Sequence, residues 1–228
     1  RLRLTRTTEV AAGCAFSGGG TLENDQAGAM WLLAASDLGA TNLRNAGQLE
    51  VALQAGVAVV DDLTLEPTST WTVDIGGPNQ GTQYDLLMVN GVNNQLDGEL
   101  QVRLINLGSG IYRPEVGETF YVMAAPPTTL NGVFTNEPIS FAPNAVVHWL
   151  IGYQTGEVAD SVTLTVTSIV PCPGDLNADG LINGADLGLM LAAWGSCKGC
   201  DADLNGDGEV DGADLGILLA AWGSCPLD

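Results

Sequence analysis

The chain has 228 residues with 27 acidic against 7 basic side chains, a net charge of −20, and 46% hydrophobic content. That length supports one large or two unequal domains with a sizeable core. The charge argues against nucleic acid, which wants clustered Lys and Arg, and against an anionic membrane surface. No apolar run reaches the roughly eighteen residues of a membrane span. The chain begins at Arg1 without the apolar core of a signal peptide, as expected of a processed product whose export signal has gone.

Residues 1–70 hold short apolar runs punctuated by glycine. Gly18-Gly19-Gly20-Thr21-Leu22-Glu23 and Ala46-Gly47-Gln48-Leu49-Glu50-Val51 are related phrases 27 residues apart, and Leu63-Thr64-Leu65-Glu66 is a third. Short strands at a spacing near one coil predict a parallel β-helix, whose stacked rungs bury an aliphatic interior. Ala27 to Ala35 reads as a helical turn or two, and Gly39, Gly47 and Gly56 prevent long helices.

Residues 71–170 read as a strand-rich cap on those rungs. Trp71, Val73 and Ile75 alternate with Thr72 and Asp74, and Leu100, Val102 and Leu104 with Gln101 and Arg103. Leu86 to Val89, following Tyr84-Asp85, is apolar on both faces, as in a covered strand. Phe120–Met123, Val146–Ile151 and Val162–Val166 complete the set, with turns at Asn90-Gly91, Asp97-Gly98, Pro126-Pro127 and Asn131-Gly132. The wording YDLLMVNG, LDGELQV and RPEVGETFYVM resembles the β-helical passenger end of autotransporter-like bacterial surface proteins. That resemblance covers about 60–170 and implies a secreted stalk or adhesin with no catalytic residues. An antiparallel sandwich of about eight strands is the competing fold, favoured by the Asn-Gly turns. The expected organisation is a β-rich body over 1–170, then a small α module over 171–228, joined by the stiff run Pro171-Cys172-Pro173-Gly174.

In that module one phrase is written twice. Asp175–Cys197 reads DLNADGLINGADLGLMLAAWGSC and Asp203–Cys225 reads DLNGDGEVDGADLGILLAAWGSC; the copies start 28 residues apart and differ at six positions. Asp175, Asn177 and Asp179 alternate oxygen-bearing side chains, and Gly180 permits a sharp turn. Leu181 then offers its carbonyl, Asn183 sits where a water-mediated ligand is usual, and Asp186 closes the loop at position twelve. The second copy supplies Asp203, Asn205, Asp207, the carbonyl of Glu209, Asp211 and Asp214. This is the ligand order of a twelve-residue calcium loop, ending in Asp where Glu is usual; magnesium, which prefers octahedral geometry and keeps its waters, fits less well. After each loop, Leu187, Met190, Leu191 and Trp194, and likewise Leu215, Leu218, Leu219 and Trp222, fall at i, i+3, i+4 and i+7 of a helix. Gly195 and Gly223 stand near the helix ends, and Gly188 and Gly216 inside the helices predict close helix–helix approach.

Two D-x-N-x-D-G-x-[IV]-x-x-x-D-L units, each followed by one helix, resemble a dockerin module over 172–228. The resemblance implies a fold around two calcium ions and docking onto cohesin modules in extracellular complexes. Its calcium residues carry over position by position. The polar, frequently Ser-Thr, pair that cohesin-binding dockerins often carry at loop positions ten and eleven does not: Gly184-Ala185 and Gly212-Ala213 stand there.

Four of the five cysteines obey the repeat. If the two helices pack antiparallel, Cys197 pairs with Cys200 and Cys172 with Cys225; pairing within each repeat, 172–197 and 200–225, is the alternative that sequence leaves open. Either pattern favours an oxidising, secreted or cell-surface location. Cys14 is left over, and a buried thiol or an intermolecular bridge are its readings.

Catalysis finds little purchase. His148 is the sole histidine, in an apolar strand and with no nucleophile-elbow motif. Asp61, Asp62 and Glu66 form the one dense acidic cluster outside the loops and read as a solvated loop edge rather than a glycosidase pair. Trp31, Trp71 and Trp149 read as core more readily than as a sugar platform. The sequence therefore predicts a non-catalytic extracellular assembly protein that binds two calcium ions and attaches to a protein partner, by self-association or through a cohesin-like module. The alternatives are a cohesin-docked part of a polysaccharide-degrading complex and a carbohydrate-binding adhesin, with a glycan as ligand.

Overall fold

The computed structural model describes residues 2–4, 8–10, 19–32, 36–39, 41–51 and 55–227. Cys14 and the end of the Ala27–Ala35 stretch lie outside them. The chain is mainly β with two short helices. It forms two compact units, Arg1–Pro138 with Trp149–Val166, and Ile139–His148 with Thr167–Asp228. Ile139–His148 and the four residues 167–170, all ahead of the expected joint at 170/171, thus group with the loop repeats.

In the first unit the chain visits three sheets in rotation. One stacks Leu2–Leu4, Gly20–Asn24, Thr41–Asn45, Leu63–Leu65, Asn94–Leu96 and Leu130–Gly132. A second stacks Thr8–Val10, Ala29–Leu32, Gln48–Val51, Thr70–Ile75 and Glu99–Leu104. Every pairing recorded within these two sheets is parallel, which is not the pairing of an antiparallel sandwich. In the third, Ser36–Asp37, Val57–Val60, Leu86–Val89 and Thr119–Ala125 run parallel. The last of these takes the start of Asp160–Pro171 as an antiparallel neighbour, through an irregularity between Tyr121 and Met123.

Side-chain alternation explains the stacking. Leu22 pairs with Leu43 and Leu43 with Leu63, so equivalent leucines form a column, and all three are buried. Burying each is worth about 2 kcal/mol. Within this column the spacing is 21 and then 20 residues. The phrases 27 residues apart fall in different sheets, because Gly20–Asn24 lies in the first and Gln48–Val51 in the second. Likewise Ala29–Leu32 is a strand rather than a helical turn: it pairs in parallel with Gln48–Val51 and points Met30 and Leu32 inward. Leu86–Val89 buries Leu87 and Val89 but leaves Met88 exposed, so the strand is covered on one face only.

Corners are tied by buried amides. Asn24 Nδ2 donates to Asn45 Oδ1 at 2.7 Å, one rung on, and Asn45 Nδ2 donates to the Gly47 carbonyl. Gly47 is obligatory there, since a Cβ would sit 2.2 Å from the Gly28 carbonyl oxygen of the turn beneath. Trp71 and Trp149 are core residues, and Phe120 stacks edge-on against Tyr84 and Trp149. Asp85, buried, accepts from the Gly56 and Asp74 amides; burial pushes its carboxyl up to about 9. Asp160, also buried, accepts from the amides of Thr128, Thr129, Leu130 and Gly156.

The second unit contains the hairpin of Ile139–Ala142 against Ala145–His148 and the two repeats. Helix α1 (Gly184–Ala192) and helix α2 (Gly212–Ala220) each follow a loop. Two-residue strands cross-link the repeats: Leu181–Ile182 pairs with Gly223–Ser224, and Gly195–Ser196 with Glu209–Val210. Gly195 and Gly223 open these strands with positive φ, two residues beyond the helix caps at Ala193 and Ala221. Val146, Cys172, Ile182, Met190, Val210 and Leu218 form its buried core. Cys172 bonds to Cys225 and Cys197 to Cys200, so the repeats are joined across, not closed within themselves.

Candidate metal centre

The two loops are built alike, apart from one further bond in the second, from Gly206 N to Asp203 Oδ1 at 2.9 Å. Asp175 accepts from the Asp179 and Gly180 amides at 3.1 and 3.0 Å, and Asp203 from those of Asp207 and Gly208 at 3.1 and 2.9 Å. Asn177 Oδ1 takes the Asp179 amide while its Nδ2 donates to Asp179 Oδ2, and Asn205 repeats both bonds with Asp207. Asp179 Oδ1 accepts from Leu181 N, and Asp207 Oδ1 from Glu209 N. The closing carboxylates reach back across the loop: Asp186 accepts from Leu176, Asn177 and Asn183 amides, and Asp214 from Leu204, Asn205 and Asp211 amides. Asn183 and Asp211 are also the helix N-caps, each accepting from the amide two residues on, and Asp186 and Asp214 complete capping boxes. Loop and helix start are one structure in each copy.

All twelve residues read from the sequence thus lie in two equivalent loops, and every side chain among them that bears a loop oxygen is already held by backbone amides or by a neighbour. Asp175, Asp186 and Asp214 are fully buried, while Asp203 is half-buried. Burial pushes the Asp175 carboxyl up, and the neighbouring charges of Asp186 and Asp179 push the same way, against the Gly180 and Asp179 amides. Asp214 is held below the carboxylate range, where its amide bonds outweigh burial. Among the described residues the ion pairs recorded join Arg44 and Arg103 to Glu23, Glu66, Glu50 and Asp74, not to loop carboxylates. Three carboxylates in the first loop and four in the second, gathered without a basic partner among the described residues, fit a hard divalent cation. Cys172, Asp175 and Cys225 also lie within ligating reach of one another. Both sulfurs are bonded to each other, so no thiolate is available, and the 3.5 Å approach of Cys225 Sγ to Asp175 is a contact without a proton.

The helix faces depart from expectation. Met190 and Leu218 are buried and Leu187 and Leu215 half-buried, but Leu191, Trp194, Leu219 and Trp222 are 48–53% exposed, with Leu189 beside them. A unit this small buries one row of each helix; the rest of the apolar stripe faces solvent. Gly188 and Gly216 do not mediate close packing, because a Cβ on either would meet nothing within 4 Å.

Sequence reading also missed two residues of the hairpin. Phe141 packs its ring over Gly180, where a Cβ would sit 2.6 Å from it, and Asn144 holds the loop entrance. Nothing in the loop motif signals them, since they lie some thirty residues upstream. The acidic cluster of the body is engaged in structure: Asp62 accepts from the amide and side chain of Asn93, and Glu66 pairs with Arg44 at 2.6 Å. His148 lies in the hairpin with its Nε2 buried and unpartnered.

Comparison with known families places this geometry. Residues 173–221 match the family model of the Dockerin type I domain. Dockerin domains are typically calcium-binding and attach their proteins to a protein partner, usually a cohesin. Neither curated proteins nor solved structures gave a match. Among the described residues no helix is long and apolar enough to cross a membrane.

Proposed function

We propose that this is a non-catalytic extracellular protein whose C-terminal unit binds two calcium ions, one per loop, and docks through its exposed helix faces onto a protein partner. The ligands in this reading are Asp175, Asn177, Asp179, the Leu181 carbonyl, Asn183 and Asp186 in one loop. Asp203, Asn205, Asp207, the Glu209 carbonyl, Asp211 and Asp214 serve in the other. The observation that carries it is the duplicated loop, with three carboxylates in one copy and four in the other and no basic partner among the described residues, each followed by a helix that leaves Leu191 and Trp194, or Leu219 and Trp222, exposed. Bound calcium supplies the positive charge that lets those carboxylates converge, and so couples ion binding to the shape of both helices.

We read the first unit as a parallel β-helix coil serving as a stalk, from its three-sheet rotation and its likeness in wording to passenger ends. The dockerin match makes a cohesin-like module the first candidate partner, and a second copy of this chain the competitor. A glycan-active or adhesin role for the body is the weaker reading, since Asp62 and Glu66 are tied into structural contacts.

Light scattering of the full chain in chelator and in calcium, alone and mixed with a cohesin module, tests this. Calcium-dependent growth of the chain alone supports self-assembly, and a calcium-dependent one-to-one complex supports the cohesin reading. A monomer indifferent to calcium and to the module contradicts both.

A further inference from the structure

The two loops share most of their internal bonds, yet their surroundings differ. Over Gly180 of the first loop lies the Phe141 ring; the corresponding Gly208 faces open space, with only the Lys198 Cβ at 4.0 Å. Ahead of the first loop sits Asn144, in the left-handed region at φ 63°. Its amide donates to the Asp175 carbonyl at 2.7 Å, and its own carbonyl accepts from Cys172 N at 2.8 Å. Its Oδ1 accepts from Gly174 N at 2.8 Å, and its Nδ2 donates to the Asp201 carbonyl at 2.9 Å. Val146 of the same hairpin is fully buried in the core shared by both repeats. The first ligand of loop one, Asp175, is wholly buried beneath this hairpin, whereas its counterpart Asp203 is half-buried.

We propose that the hairpin Ile139–His148 is a built-in brace of the first calcium loop, and that it makes the two sites unequal: both loops have their own internal amide bonds, but loop one is additionally packed and held by the hairpin before the ion arrives, whereas the hairpin reaches loop two only through the Asn144–Asp201 bond at its entrance. The proposal rests on the calcium reading above and goes beyond it, since by ligand charge alone loop two, with Asp211 where loop one has Asn183, would be the stronger site. The physical reason is preorganisation. Gathering the carboxylates costs chain entropy and charge repulsion, and whatever part the hairpin has already met is not subtracted from ion binding. Loop one also carries Ala178 at φ 60°, where loop two has Gly206. A left-handed alanine is unfavourable, a local cost that loop two does not carry.

The test is calorimetric titration of the full chain with calcium, after chelator treatment, in two backgrounds. Asp207→Ala leaves loop one as the intact site, and Asp179→Ala leaves loop two. Loop one is expected to bind at least about tenfold more tightly. Adding Phe141→Ala is expected to weaken loop one about tenfold and to leave loop two within about twofold. Phe141 is only half-buried, and far-ultraviolet circular dichroism of each variant in calcium verifies folding. Asn144→Gly, which keeps the left-handed turn and removes just the side-chain bonds, is the second variant and should also weaken loop one. Equal affinities in the two backgrounds, or an equal loss in both on Phe141→Ala, overturn the brace while leaving calcium binding intact. No uptake by the unsubstituted chain overturns the calcium reading and the brace with it.

Discussion

Ala178 and Gly206 occupy the same loop position, at φ 60° and 76°. The alanine sits in a region that costs an L-residue about 1 kcal/mol, so Ala178→Gly should raise stability by about 0.5–1 kcal/mol, measured by urea denaturation in chelator. Asp160 offers a different test. Its carboxylate is buried, but four amide bonds hold its pKa below the ordinary value. A depressed folded pKa means stability present above about pH 4 and lost as pH falls through the folded value. Asp160→Asn should therefore cost about 3 kcal/mol at pH 7 and flatten the decline in stability between about pH 4 and pH 2, read by denaturation in chelator so that the loops do not contribute. The loop residues were legible in the sequence because the side-chain bonds that tie each loop together lie within twelve positions. Asp160 was not: three of its four donors come from about thirty residues away, brought in by a turn that no local pattern announces.

At the scale of elements, α1 and α2 were legible in position and period but not in what they face. An i, i+3, i+4, i+7 stripe marks an apolar side without saying whether the protein's own core or a partner covers it. Here one row is covered and Leu191, Trp194, Leu219 and Trp222 are not. Gly188→Ala and Gly216→Ala, each with nothing near the new methyl group, should stabilise their helices by about 1 kcal/mol apiece. If that face docks, the same pair should weaken the calcium-dependent complex by more than about tenfold while raising the melting temperature; a stabilised variant with undiminished association would place the docking surface elsewhere. The strands were legible one by one, through Trp71-Val73-Ile75 and Leu100-Val102-Leu104. Their partners were not, because the parallel offset varies along the chain, 21 residues from Leu22 to Leu43, 20 from Leu43 to Leu63 and 29 from Trp71 to Leu100, so no single spacing announces it.

For the whole molecule, the disulfides act on different lengths of chain. Cys172–Cys225 closes 53 residues and Cys197–Cys200 only three. Loop-closure entropy makes the first worth about 4 kcal/mol and the second about 1.5 kcal/mol. Cys172→Ser/Cys225→Ser should therefore lower the melting temperature of the second unit far more than Cys197→Ser/Cys200→Ser, in calorimetric scans with calcium. The cross-joined pairing also places the ends of the repeated segment side by side; the repeat symmetry offered it as one of two patterns, and the structure shows it. That segment carries ten acids against Lys198, so much of the chain's negative charge is gathered where two cations are proposed to sit. The most direct measurement is native mass spectrometry of the intact chain in calcium. The account predicts two ions on the unsubstituted chain, and one on either Asp175→Ala or Asp203→Ala. A chain that carries no calcium, or whose count is unmoved by both substitutions, would contradict it.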